Sequence, residues 1–162
     1  MNLNLTKINN TFYKINTPLQ YLLKNVNIPF KLSKYKNNYY LNIEINIDKN
    51  KKNKKFINDY NEVEKYIVKL NIINEKNIND YTIYSNLKIN EFNNNTFYLY
   101  RCQLKKNKNT IITKYKIDNI ETNIFNIESK NIYNIIIEIT GIWINTTNKQ
   151  YGLSLNIICI NK

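Results

Sequence analysis

The sequence contains no histidine and no alanine, and it has only two glycines, two cysteines, one arginine and one tryptophan. The absence of histidine excludes Ser-His-Asp and Cys-His catalysis and every metal site that requires an imidazole. Cys102 and Cys159 lack the close spacing of a metal or redox motif. We therefore expect both cysteines to be reduced thiols within strands.

Acidic residues are also few, and they are scattered singly along the chain, with 12 of them against 24 basic residues. Glu62 and Glu64 are two positions apart, so they would not face each other on a helix. Paired carboxylates for acid–base or metal chemistry are therefore missing. The sequence predicts a protein that is not an enzyme and that carries no cofactor and no metal.

Long apolar runs are absent as well, since no stretch reaches the roughly 18 continuous residues that a membrane helix needs. The first ten residues, MNLNLTKINN, lack the apolar region of a signal peptide. We expect a soluble, intracellular protein with no membrane partner. Its 162 residues suit a single domain, residues 1–162, with room for a core.

Asparagine, isoleucine and lysine are abundant, with 35, 29 and 23 residues respectively. We attribute this bias to an AT-rich genome, because residues with GC-rich codons are nearly absent. Asparagine alternates with isoleucine, leucine and tyrosine, so a core can still form. The net charge of +12 favours a polyanionic partner such as nucleic acid, although codon bias accounts for part of it.

Hydrophobic periodicity predicts mostly short antiparallel strands. Residues 39–48 alternate apolar and polar side chains, and 131–145 and 150–160 form two long strands around the turn NTTNK. One amphipathic helix, about 56–74, shows apolar residues at three- and four-residue spacing. This pattern predicts a mainly β fold, an OB-fold-like antiparallel barrel with the helix inserted between strands.

Other segments are predicted with less regular patterns. We expect short strands with irregular connections in the first thirty residues, a hairpin at 28–48, and a charged loop at Lys49–Lys55. We expect NEFNNNTF to be a loop, and TIITKYKI to pair with the strand TFYLYRCQLKK. In that strand Arg101 should point to one face, and Tyr98 and Tyr100 to the other.

Both glycines and the only tryptophan lie within the twelve residues GIWINTTNKQYG, from Gly141 to Gly152. Glycine in a strand indicates a bulge, a sharp bend or a close approach to the backbone. Trp143 is then either a core or rim residue, or an exposed ring on which a nucleic-acid base stacks. The sequence leaves both alternatives open.

The chain resembles the single-stranded-DNA-binding proteins of nucleocytoplasmic large DNA viruses, which are similar to the replication SSB of podovirus-type phages. The resemblance includes INTPLQYLLKNVNIPFKLSKYKNNYYLNIEI, the FINDYNEVEKYIV helix, and a final hairpin of the form G-h-W…Y-G-h-S, with h apolar. It implies an OB-fold, sequence-independent single-stranded DNA binding, and work beside polymerase and helicase at the replication fork. The chain ends LNIICINK, so the family's acidic C-terminal tail has no counterpart here, and tail-mediated recruitment and dimerisation are not expected.

We therefore expect single-stranded DNA binding in viral DNA replication, recombination or repair, in the host cytoplasm (viral factory) or nucleus. Binding would combine aromatic stacking with lysine and arginine contacts to phosphates. A homo-oligomer remains open. The predicted DNA-binding residues are Lys34, Lys36, Tyr40, Tyr98, Tyr100, Arg101, Lys105, Lys106, Lys114, Lys116, Trp143 and Tyr151.

Two alternatives remain. An RNA-binding or ribosome-associated protein of an AT-rich genome would use the same fold and charge. A structural or virion protein would use the β surface as a protein interface, and its charge would be codon bias alone.

Overall fold

The computed structural model describes residues 3–48, 51–69 and 81–162. Within them the protein is mainly β, with one α-helix, α1 (Lys54–Lys69). The strands are β1 (Leu5–Asn9), β2 (Phe12–Ile28), β3 (Ser33–Tyr35), β4 (Asn38–Asn46), β5 (Thr82–Ile83), β6 (Leu87–Phe92), β7 (Asn95–Leu104), β8 (Lys106–Asn107), β9 (Thr110–Ile111), β10 (Lys114–Ile117), β11 (Ile120–Thr122), β12 (Asn131–Asn145) and β13 (Gln150–Asn161).

Five of these strands pair in a circle. β2 pairs with β4, β4 with β7, β13 with β12, and β12 with β2, all antiparallel. The circle is completed by a short parallel pairing of β7 with β13, where Gln103 lies opposite Asn156 and Leu104 opposite Ile157. The pairings therefore lead from β2 through the other four strands and back to β2. Outside this circle, β6 pairs with β7, β10 pairs with β13, and β11 pairs with β10.

The predicted strand faces are confirmed for β4 and β7. Leu41, Ile43 and Ile45 are fully buried, and the residues between them are partly exposed. In β7, Tyr100, Cys102 and Leu104 are fully buried. Arg101 lies between them on the opposite, exposed face, as period-two alternation requires. The last two strands are also confirmed, as β12 and β13, joined by a turn at residues 146–149.

The helix begins two residues earlier than expected, and residues 70–74 of the predicted helix lie outside the described residues. Phe56, Tyr60, Val63 and Ile67 are buried, which confirms the predicted apolar face. The Phe56 ring lies 4.9 Å from the Tyr100 ring, between their centroids. Helix α1 therefore covers the apolar interior of the strands.

The charged stretch Lys49–Lys55 was expected to be a loop, but its described part is helical. Residues Lys51–Asn53 form a short 3-10 helix that leads directly into α1. Asn53 is buried, and its side-chain amide bonds both the backbone N–H of Lys24, at 3.0 Å, and the Lys24 carbonyl, at 2.9 Å. This contact anchors the lysine-rich segment to β2 at Lys24, where the register of β2 against β12 shifts.

The first thirty residues contain one short strand, β1, as expected, and one long strand, β2, where further short strands were expected. Pro18 does not break β2, because residues 15–18 lie in a bulge opposite Thr140. A proline lacks the backbone N–H for a regular ladder, so a bulge tolerates it. In the predicted hairpin at 28–48, β3 does pair with β4, and the turn is at Lys36–Asn37.

The expected loop NEFNNNTF is instead a tight hairpin between β6 and β7. Asn93 and Asn94 form its turn with φ values of 48° and 60°. Asparagine tolerates this left-handed region, and two such residues favour the turns that match strand twist. The run of asparagines was therefore a turn signal.

The expected pairing of TIITKYKI with TFYLYRCQLKK holds only beside the turn, where Lys106 pairs with Ile111, and it is wrong for KYKI. Both edges of β7 are occupied, one by β4 and the other by β6 and then β13. Strand β10 pairs instead with β13, in parallel, and with β11. Only Lys106–Asn107 and Thr110–Ile111 form a two-residue ladder in that region.

No helix among the described residues is both long and apolar enough to cross a membrane.

Candidate functional site

A groove of about 940 Å³ crosses the outward faces of β2, β12, β13, β7 and β4. Aromatic side chains and cationic side chains meet in its lining, and Glu138 is the only acidic residue that the described part of the chain contributes to it. The lining includes Phe12, Tyr35, Tyr40, Tyr84, Trp143, Lys14, Arg101, Lys105 and Lys106.

The aromatic end of the groove is built by a cross-strand row. Trp143 on β12 lies opposite Phe12 on β2 and opposite Gly152 on β13. The indole Nε1 donates a hydrogen bond to the Leu153 carbonyl at 3.1 Å, and the Tyr84 ring lies 6.0 Å away, between centroids. Trp143 is half-buried and lines the groove, so part of its indole faces the groove while the hydrogen bond to Leu153 orients the ring.

The two glycines make room for this aromatic end. A Cβ atom at Gly152 would lie 2.5 Å from the Tyr84 carbonyl oxygen and 2.8 Å from the Trp143 ring. A Cβ atom at Gly141 would overlap the Tyr13 carbonyl and lie 2.5 Å from the Phe12 ring. Neither glycine has a positive φ, so space and not backbone conformation requires them. The concentration of rare residues at 141–152 follows from the packing of Trp143 and Phe12.

A row of polar side chains crosses the middle of the sheet. Gln20, Glu138, Asn156, Gln103 and Tyr40 are successive cross-strand partners on β2, β12, β13, β7 and β4. Cross-strand partners share a face of the sheet, and all but Gln20 line the groove. The groove therefore has a polar floor beside its aromatic end.

The cationic side of the groove contains Arg101, stacked on Tyr40. The guanidinium carbon lies 4.4 Å from the centre of the Tyr40 ring. Within the described residues Arg101 has no carboxylate partner, so its N–H donors remain available to a ligand. Lys106 donates to the Asn37 carbonyl, and Lys105 pairs with Glu138 at 2.6 Å.

Five of the predicted site residues therefore come together in the groove: Tyr40, Arg101, Lys105, Lys106 and Trp143. Lys34 and Lys36 lie beside it on the β3–β4 hairpin, where the Lys36 ammonium is 5.6 Å from the Tyr35 ring centre. Lys114 and Lys116 lie on β10, away from the groove lining, and Lys114 pairs with Glu121 at 3.5 Å.

Three predicted tyrosines do not line the groove. Tyr100 is fully buried against Phe56 and Tyr60, and burial raises the pKa of its hydroxyl above its usual range. Tyr151 is only 7% exposed, and burial raises its pKa too. Tyr98 is partly buried and packs against the core. The reason is strand alternation, which places Tyr98 and Tyr100 on the face opposite Arg101.

The groove also contains three aromatic residues that sequence reasoning missed, namely Phe12, Tyr35 and Tyr84. Tyr35 carried a weak signal, because it stands between two lysines in KLSKYKNN. No signal in the sequence identified Phe12 or Tyr84, because only the pairing of β2 with β12 and of β5 with β13 brings these two residues close to Trp143.

The residues that the structure describes contain no group of three or more Cys, Asp or Glu side chains placed to hold a metal ion. Both cysteines are free and buried on strands, as expected. Burial raises the pKa of the Cys102 thiol well above its usual range, which keeps it in the unreactive protonated form.

The groove thus presents aromatic rings, hydrogen-bonding side chains and unpaired positive charge along one continuous surface. Comparison of the chain with protein-family models, with curated proteins and with solved structures found no significant match.

Proposed function

We propose that the protein binds single-stranded DNA without catalysis and serves viral DNA replication, recombination or repair. The observation that carries the proposal is the groove, in which Trp143, Tyr84, Tyr40 and Arg101 line one surface with three lysines. The resemblance to single-stranded-DNA-binding proteins of large DNA viruses, drawn from the sequence, points to the same function.

The strand pairings support an OB-type barrel as the scaffold. In chain order, the five strands of the circle are β2, β4, β7, β12 and β13. Around the circle they pair in the order first, second, third, fifth, fourth and back to the first. An OB-fold is a five-stranded Greek-key barrel that binds oligonucleotides across its second and third strands and its first and last connecting loops. Tyr40 and Arg101 lie on the second and third strands, and Tyr35 lies in the first loop.

The chemistry of the lining suits an unpaired strand. Bases stack on aromatic rings at about 1–3 kcal/mol per base, and this contribution tolerates any sequence because every base has a π-face. A duplex hides those faces, so Trp143 and Tyr84 favour single strands. Arg101, held flat against Tyr40, can stack on a base and donate to a phosphate at the same time.

The charge of the groove adds a salt-dependent component. The described residues line it with four cations and one carboxylate, and Lys105 pairs with that carboxylate. Each phosphate that is neutralised releases counterions, so affinity falls as salt rises. Three or four phosphate contacts would give a slope of roughly −2 to −3 in log affinity against log salt, at about −0.7 per phosphate for single strands.

Fluorescence titration of Trp143 tests the proposal directly, because it is the only tryptophan. We expect oligo-dT to quench its emission, with binding that weakens steeply between two salt concentrations and little response to a duplex. Equal or tighter binding to RNA would favour an RNA-binding protein of an AT-rich genome. Absence of binding at low salt, also by mobility shift, would overturn the proposal and favour a structural or virion protein.

Polymerase and helicase are the proposed partners at the fork.

A further inference from the structure

Among the described residues, Glu138 is the one carboxylate in a groove that otherwise favours a polyanion. Its side chain is only 7% exposed, and its Oε1 lies 2.6 Å from the Nζ of Lys105. A nearly buried charge is costly unless it is paired and hydrogen-bonded. An acidic side chain on a DNA-binding surface also repels phosphates, so its position requires a reason.

The hydrogen-bonding capacity of Glu138 is largely unused. An ionised carboxylate has about four acceptor positions. Among the described residues, Lys105 is the only group that donates to it. Its neighbours across the sheet, Gln20 and Asn156, do not donate to it, and the Asn156 amide donates instead to Thr140 at 2.9 Å. The carboxylate therefore keeps acceptor positions that no described donor uses, at a residue that lines the groove.

We infer that Glu138 and Lys105 together recognise the Watson–Crick edge of an unpaired guanine, so that binding is not wholly indifferent to sequence. This inference rests on the proposed function. Guanine presents an acceptor, O6, beside two adjacent donors, N1–H and the N2 amine. The Lys105 ammonium beside the Glu138 carboxylate presents the complementary order of one donor and two acceptors.

The other bases match this pair less well. Adenine and cytosine each offer one amino donor beside an acceptor, so one carboxylate oxygen stays without a donor. Thymine offers a single N–H between two carbonyls, and its second carbonyl would face the carboxylate. Guanine alone donates twice to a carboxylate, and such charge-assisted two-point contacts are the strong ones. A good bidentate contact discriminates between bases by about 1–3 kcal/mol, which is about fivefold or more in affinity.

The test uses a fluorescently labelled 15-mer of thymidine and the same oligomer with one central guanine, inosine or adenine, followed by anisotropy. Inosine differs from guanine only by loss of the N2 amine. We expect the unaltered protein to bind the guanine oligomer about fivefold or more tightly than oligo-dT. Inosine should remove most of that gain. Glu138→Gln should lose the preference for guanine over oligo-dT.

The matched control is Glu128→Gln, which removes the same charge from an exposed residue that pairs with Lys162 away from the groove. It should keep the guanine preference. Equal affinity of the unaltered protein for all four oligomers would overturn this inference and leave the proposed function intact. Absence of binding to any oligomer at low salt would overturn both. If Glu138→Gln fails to fold, the unaltered protein still tests the inference: it should bind the guanine oligomer more tightly than the inosine oligomer, and equal affinity for the two would overturn the inference.

Discussion

The protein contains two clusters of aromatic rings that differ in what covers them. In the core cluster, Phe56 and Tyr60 on α1 pack against Tyr100 on β7, and all three are fully buried. In the groove cluster, Trp143 packs against Tyr84 beside Phe12 and stays partly exposed. The helix covers the first cluster, whereas no element among the described residues covers the second.

This difference shows how rings of one kind serve two purposes. Rings in the core cluster contribute apolar burial, and burial raises the hydroxyl pKa of Tyr60 and Tyr100 above its usual range. Rings in the groove cluster keep surface for a ligand, and a hydrogen bond to the Leu153 carbonyl orients the indole. A substitution in the core should therefore change stability, and one in the groove should change binding.

The largest expected effect is on stability, from Phe56→Ala. The substitution leaves a cavity among Tyr21, Tyr60 and Tyr100, so we expect a loss of about 3–5 kcal/mol in the free energy of unfolding. Urea denaturation followed by circular dichroism measures it. A loss below about 1 kcal/mol would show that the helix does not pack on this cluster as described.

The next effect is on binding, from Trp143→Ala. Loss of a stacking ring should cost about 1–3 kcal/mol in binding free energy, which is roughly tenfold in affinity for oligo-dT. Mobility shift measures it, since the variant has no tryptophan. Phe56→Ala, assayed under conditions where it remains folded, is the control from the core cluster and should bind normally. If Trp143→Ala bound oligo-dT with unchanged affinity, the indole would not be part of the binding surface.

A smaller effect is expected for Arg101→Lys. Lysine keeps the positive charge but loses the planar fork that stacks on Tyr40 and donates to a phosphate. We expect about a threefold to fivefold loss of affinity with an unchanged salt slope, because the number of neutralised phosphates is the same. A salt titration of both proteins measures it. A reduced slope would indicate that the lysine no longer reaches a phosphate.

The smallest effect should be a gain of stability, from Tyr100→Phe. The Tyr100 hydroxyl is buried and has no hydrogen-bond partner among the described residues. Removing an unsatisfied polar group should raise the free energy of unfolding by up to about 1 kcal/mol. Tyr60→Phe is the contrasting variant, because the Tyr60 hydroxyl donates to Glu64 and accepts from the Asn86 N–H. In thermal unfolding, Tyr100→Phe should have a higher Tm than the unaltered protein, and Tyr60→Phe should have a lower one.

Several local features were predictable because each depends on nearby residues. The alternation in β4, the apolar face of α1 and the β12–β13 hairpin follow from periods of two and 3.6 residues and from a turn sequence. The outward position of Arg101 followed from the same alternation. Tyr100 could have been placed in the core by that rule, since it lies one position before Arg101.

Other features depended on strands that are distant in sequence. Residues 15–18 could be recognised as a bulge only once β2 was paired with β12, and the partner of β10 only once both edges of β7 were occupied. The asparagine pair Asn93–Asn94 was hidden by composition, because asparagine is common throughout the chain.

By itself the sequence determined a basic, histidine-free, mainly β protein with one amphipathic helix and a glycine-flanked tryptophan hairpin. These properties are composition and local periodicity, which the chain carries whatever its partners are. Only the tertiary structure decided which aromatic rings are covered by α1 and which line the groove, and that Glu138 lies beside Lys105 in the polar row. Those outcomes depend on strand register, because a shift of one residue moves every side chain of a strand to the other face.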